Sequence, residues 1–147
     1  MIRRATPDDV PALMRLGECA RRESLTHFPP IDETKIAAIK DQWFAHPDLC
    51  LALIAERNGK PIGMMLAVMS DYVWSGVRVA MIQTAYTVPA ERGWGGFLIR
   101  RCVTWARENG AVDVRLTLES GIDVPMATAL LRRMGFTEMG MGYTKVL

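Results

Sequence analysis

The stretch of this chain best suited to hold a ligand is Pro89-Ala90-Glu91-Arg92-Gly93-Trp94-Gly95-Gly96-Phe97, where three glycines and an arginine separate an apolar run from an amphipathic one. Glycines there let successive backbone N–H groups approach a ligand with no Cβ in the way, and the start of the following helix adds the positive end of its dipole. The chemistry this suits is anion binding. A P-loop is excluded because no Gly-Lys-Ser/Thr follows, and a dinucleotide Gly-x-Gly-x-x-Gly because Leu98 occupies the third glycine position. Glycines serving a turn alone are the competing reading.

The other reactive side chains form no recognisable metal or nucleophile pattern. Cys19, Cys50 and Cys102 are widely spaced, odd in number and without a CxxC or Cys/His arrangement, so no zinc site is expected and the thiols should be reduced. Cys19 and Cys102 fall at apolar helical positions, which argues against Cys–His catalysis. Eighteen basic and 16 acidic residues give the 147-residue chain a net charge of +2, which argues against coating nucleic acid. Residues 78–147 carry nine basic and six acidic groups, so the half containing the glycine loop is the one suited to an anion. Half the residues are hydrophobic and 23% charged, the composition of one globular domain spanning 1–147 with a core that needs no staple. The apolar stretches at 49–55 and 62–69 fall short of the roughly 20 residues that span a bilayer, and no signal-peptide run is legible, so a cytoplasmic protein without membrane partners is expected.

Around the loop, the pattern predicts the elements that must position it. Residues 2–5 form a first strand; Thr6-Pro7-Asp8-Asp9 starts a helix running to about Arg22. Prolines 29 and 30 impose a loop, and Asp32 caps a second helix with Ile36, Ile39 and Trp43 on one face. Asn58-Gly59 turns a hairpin between strands 49–57 and 60–71, and a third long strand at 78–88 ends at Pro89. Leu98, Ile99, Cys102, Val103, Trp105 and Ala106 line one side of a helix closed by Asn109-Gly110. Residues 112–118 alternate as a strand, a helix follows Asp123, and residues 136–147 suggest two short strands around Gly140 and Gly142. The order β-α-α-β-β-β-α-β-α-β-β is an α/β layered domain, and ligands bind such folds at strand carboxyl ends, here Val88 to Phe97 and Glu119 to Asp123.

Strand, Pro89, Arg92-Gly93-x-Gly95, amphipathic helix, strand, helix and a terminal Gly135-Phe136 together resemble the GNAT superfamily of N-acetyltransferases, from Ile2-Arg3-Arg4-Ala5-Thr6 to Tyr143-x-Lys145. The resemblance implies a mixed, mostly antiparallel central sheet with helices on both faces. It implies acetyl-CoA as cosubstrate, its pyrophosphate held by Arg92, Gly93, Trp94, Gly95, Gly96 and Phe97. Arg92 and Gly95 match the family's Arg/Gln-x-x-Gly-x-Gly/Ala motif, and Phe97 stands where a small residue is usual. Thr87 and Val88 would contact the pantetheine arm, and Arg100 and Arg101 are better read as a solvated face.

Such a transfer needs a base for the attacking ammonium and an acid for the leaving thiolate. The tyrosine that the family often places four residues before Gly-Phe is Leu131 here, so Tyr86 and Tyr143 are the candidate acids, with water as substitute. Glu119, at a strand end beside the loop, is the candidate base, and Asp71 the alternative. His27, in the proline loop, is weaker, and His46 reads as structural. The acceptor is an unidentified amine of a small molecule or peptide. A non-catalytic domain binding acyl-CoA or a protein partner is the competing function. Ten methionines read as core filling, the alternative being an acceptor pocket or homodimer interface with Tyr72 and Trp74 near the edge.

Overall fold

A computed structural model describes all 147 residues. Strands β1 (Ile2–Arg4), β2 (Cys50–Arg57), β3 (Lys60–Asp71), β4 (Arg78–Thr87) and β5 (Ala111–Arg115) form one sheet in chain order. The first three junctions are antiparallel, and β4 pairs with β5 in parallel. Helices α1 (Val10–Glu23), α2 (Glu33–Ala45), α3 (Gly95–Glu108) and α4 (Val124–Arg133) complete the mixed α/β fold. None of them is long and apolar enough to cross a membrane.

Period-two alternation sends successive residues of β2 to opposite layers. Leu51, Leu53 and Ala55 join Leu98, Ile99, Cys102 and Trp105 of α3 in a cluster of 12 buried residues. Ala52 and Ile54 face the other way, toward Ala12 of α1, with Trp43 and Phe44 of α2 packed beside them. The Asn58-Gly59 turn forms as its residue types demand, with φ of 52° and 72°. At the far edge, Arg3 donates to both Asp9 carboxylate oxygens (2.7 and 2.8 Å) and to Glu56 (2.6 Å), tying the start of α1 to the sheet.

Four expectations change. Residues 136–147 form no strand, and Met139, Met141 and Tyr143 lie exposed: the segment has the alternation of a strand but no ladder partner. The strand expected at 112–118 ends at Arg115, where its pairing with β4 ends. Cys19 is exposed rather than on a core face, whereas Cys102 is fully buried and its thiol is pushed up to about 12 by that burial. The start of α1 is preceded by a 3-10 turn, Pro7–Asp9, with Asp9 accepting from the Thr6 N–H at 2.8 Å. Among the methionines, Met64 and Met65 are core residues.

Candidate functional site

β4 and β5 are paired only between Arg78–Met81 and Ala111–Arg115. Beyond that point Ile82–Ala85 and Leu116–Ser120 flank a cavity of about 450 Å³, roofed by α1 and α2. β4 still has β3 on one side, so its backbone groups on the other side are free of a strand partner where it borders this gap. Leu66 faces Thr84 while Ala67 faces Ile82, which leaves Gln83 as an extra residue; a bulge of this kind bends and twists the strand toward its end. Gly63 makes the end possible: a Cβ there would stand 2.7 Å from the Thr87 methyl and 2.9 Å from the Tyr86 carbonyl oxygen. Val88 N–H then donates to Ile62 O at 2.9 Å, so the chain leaves the sheet at a fixed place.

After Val88 the chain makes a 3-10 segment, Pro89–Trp94, that runs into α3 at Gly95. Neither Gly93 nor Gly95 has a positive φ, and no heavy atom lies within 4 Å of where its Cβ would be. Their lack of a side chain therefore answers no crowding within the protein and leaves an open cradle at the helix start. Gly96 is different, since its Cβ would touch Leu130 of α4 at 3.4 Å. Phe97 is exposed, with the Trp94 ring 5.9 Å away and the Arg100 guanidinium 5.5 Å from its centroid.

Arg92 does not extend freely from the loop. Its guanidinium donates to Thr87 O at 2.8 Å and to the Glu23 carboxylate, and it lies 5.6 Å from the Tyr86 ring centroid. The Tyr86 hydroxyl donates to the other Glu23 oxygen. Burial holds the Tyr86 phenol well above the usual tyrosine range, and the Glu23 carboxylate raises it further, partly offset by Arg92. Glu23 is the member of this cluster that sequence reasoning missed. It sits at the C-terminal end of α1, 63 and 69 residues from its partners, where a lone carboxylate after a run of charged residues reads as solvated.

Glu119 lines the cavity and is exposed toward it, its carboxylate accepting from the Thr117 hydroxyl at 2.7 Å. The adjoining backbone is clasped from above: Thr26 Oγ1 donates to Glu119 O at 2.6 Å and Leu25 N–H to Ser120 O at 2.8 Å. The end of β4 thus brings together Tyr86, Thr87, Val88 and the 92–97 loop, with Glu119 across the gap. Tyr143 is not gathered there; it is 89% exposed, and its hydroxyl faces only the Met141 sulfur, at 3.8 Å. Asp71 pairs with Arg78 at the opposite end of β4 from Thr87. His27 is exposed in the α1–α2 loop, and His46 caps α2. Leu131 packs against the α3-side core.

Comparison with known proteins agrees with the fold. The chain superposes on a putative acetyltransferase from Agrobacterium tumefaciens str. C58 with TM-score 0.76 and 22% identity, over 100% of this chain and 99% of that one. It superposes on the aminoglycoside antibiotic 6'-N-acetyltransferase AAC(6')-IG from Acinetobacter haemolyticus with TM-score 0.67 and 21% identity, over 100% and 99% of the two chains. For AAC(6')-Iy in complex with a bisubstrate analogue, CoA-S-monomethyl-acetylneamine, the values are 0.75 and 18%, over 100% and 98%. At these identities the likeness is one of fold. None of the curated protein sequences matches. The profile of the acetyltransferase (GNAT) family matches residues 16–136, and the chain is a member of that family.

Proposed function

We propose that the protein transfers an acetyl group from acetyl-CoA to a primary amine by direct attack. The observation that carries this reading is the junction of an open glycine cradle at a helix start with a strand edge that loses its partner beside a cavity. The cradle suits a pyrophosphate, and the edge of β4 without a strand partner, which leads up to Thr87 and Val88, suits the amides of a pantetheine arm. Two structural neighbours point to the same pair of ligands, one by its name as an aminoglycoside acetyltransferase and one by its CoA-linked analogue. The cosubstrate would deliver its thioester at the end of β4, where the amine meets it from the cavity.

In this scheme the amine nitrogen bonds to the acetyl carbon, the carbon–sulfur bond breaks, and the thiolate leaves. Glu119, directly or through one water, takes the ammonium proton before attack; the thiolate takes a proton from Tyr86 or from water, and the second proton that the nitrogen sheds as the amide forms returns to that donor. Tyr86 holds its proton firmly, and donating it leaves a phenolate beside Glu23, which Arg92 offsets only while it keeps its inward position. Tyr143 would serve only if the tail approached the strand end.

Arg92 is placed to do two things. In the structure it fixes Thr87 and Glu23; turned outward it would meet a phosphate with a planar two-nitrogen fork. A second reading, a domain that binds acyl-CoA without turnover, is favoured by Leu131, whose packing in the core leaves no donor at that position.

Calorimetric titration of CoA into the wild type and Gly95→Asp tests the placement. A carboxylate in the cradle is expected to weaken binding at least tenfold, and unchanged affinity would place the cofactor elsewhere. Thiol release with a panel of amines separates transferase from binder.

A further inference from the structure

The cavity over the sheet has a composition that selects among amines. Seventeen of the 26 residues that line it are hydrophobic, Leu13, Phe28, Ile36, Ile39, Trp43 and Leu66 among them. Helix α2 contributes Ile36, Ile39, Trp43 and Phe44 to this wall and has no fully buried residue; Trp43 and Phe44 pack on the small core cluster below them, and Ile36 and Ile39 line the open volume. About 450 Å³ is room for a small organic molecule.

Charge is distributed unevenly around it. Lining cations are Arg21, paired at 2.8 Å with a Glu18 carboxylate that Arg22 shares, and Lys40, which has no ion-pair partner; Glu119 is the one lining carboxylate. It lies with Ser120 on the segment facing the free part of β4. One ammonium group can therefore be met by a carboxylate at the end where acetyl would arrive. Any further ammonium held inside would lie against apolar walls or toward Lys40, with no second lining carboxylate to pair with.

We infer that the acceptor is a monocationic primary amine on an apolar aromatic or aliphatic body, seated against α1 and α2 with its nitrogen at Glu119, and not a polycationic amino sugar. This rests on the transferase reading for the role of the bound amine, but the binding preference can be measured without turnover.

The test titrates amines into the CoA-saturated protein by calorimetry, and in parallel follows thiol release from acetyl-CoA. The probes are 2-phenylethylamine, the n-alkylamines from ethyl to hexyl, and kanamycin. Expected are saturable binding of 2-phenylethylamine, an affinity that rises about threefold per added methylene along the alkyl series, and kanamycin at least 100-fold weaker than 2-phenylethylamine. Ile39→Gln, which puts an uncharged polar group on the apolar wall, should weaken 2-phenylethylamine about tenfold or more while CoA affinity stays unchanged. The alkyl series on the wild type decides the matter should that variant fail to fold. An affinity flat along the series, or kanamycin binding more tightly than 2-phenylethylamine, overturns the inference. Kanamycin acetylated while the apolar amines neither bind nor react overturns it and leaves the transferase reading standing. Apolar amines that bind in the expected order and release no thiol uphold the binding preference and overturn the transferase reading.

Discussion

The two faces of one sheet are built to different standards. Under α3, Leu51, Leu53, Met65, Leu98 and Cys102 are almost wholly buried and contiguous. Under α1 and α2 the buried residues fall into two small clusters, of four and three, and the space between them is a cavity. Dense packing fixes one arrangement of side chains, and empty apolar volume forgoes contacts that would stabilise the fold. The closed face carries the stability, and the open face has given up packing for room.

The sharpest way to break this division is to ask each face for the other's property. Glu119→Gln, at the open face, should lower turnover by about 10² to 10⁴-fold if Glu119 is the base, with the melting temperature nearly unchanged. A variant with wild-type rate and an unaltered acidic limb in its pH profile would move the base to water or another group. Leu98→Ala, at the closed face, should cost about 3 kcal/mol in urea unfolding and little turnover per folded molecule, while Ile39→Ala, on the cavity wall, should cost less than about 1 kcal/mol. Equal costs at the two positions would mean that the cavity closes in solution.

Acid should act through the tether between α1 and the sheet edge. Arg3 holds the Asp9 carboxyl far below the usual carboxylate range, chiefly by its hydrogen bonds. A depressed folded value means that the stabilisation is complete above the unfolded value of about 4 and is lost as pH falls through the acid range. Arg3→Ala should remove about 1–2 kcal/mol at pH 7 and flatten that acid dependence. The smallest effect belongs to Glu23→Gln. Removing the carboxylate should let Tyr86 ionise at lower pH, although burial still holds it above the ordinary tyrosine range. The raised phenol contributes stability below about pH 10 that is lost on going more alkaline, so the variant should show a weaker alkaline loss. Ultraviolet titration of the phenol reads the change directly, and an identical curve would mean that burial alone sets it.

What the sequence made legible was local. The Asn58-Gly59 hairpin, the Pro89 stop, the face of α3 and the glycine loop all depend on residues a few positions apart. Glu23 was not legible, because its role exists only once α1 crosses the end of β4. Ile36, Ile39 and Trp43 announced an apolar face by their spacing, but periodicity does not say whether protein or a cavity lies opposite. Residues 136–147 show the same limit from the other side. Alternation is present, and pairing, which another strand must supply, is not. Asp71 and Glu119 both read as strand-end charges, and only the sheet's register put them at opposite ends.

The clasp of Leu25 and Thr26 onto Glu119 and Ser120 joins residues 93 or more apart in the chain, and so completes the cavity's rim late in the sequence. No fragment that lacks β5 and its following loop can possess the whole cavity. A ligand that fills it therefore stabilises the domain against global unfolding, not one part of it, and at 100 times its dissociation constant should add about 2.7 kcal/mol to that transition as a single cooperative upward shift.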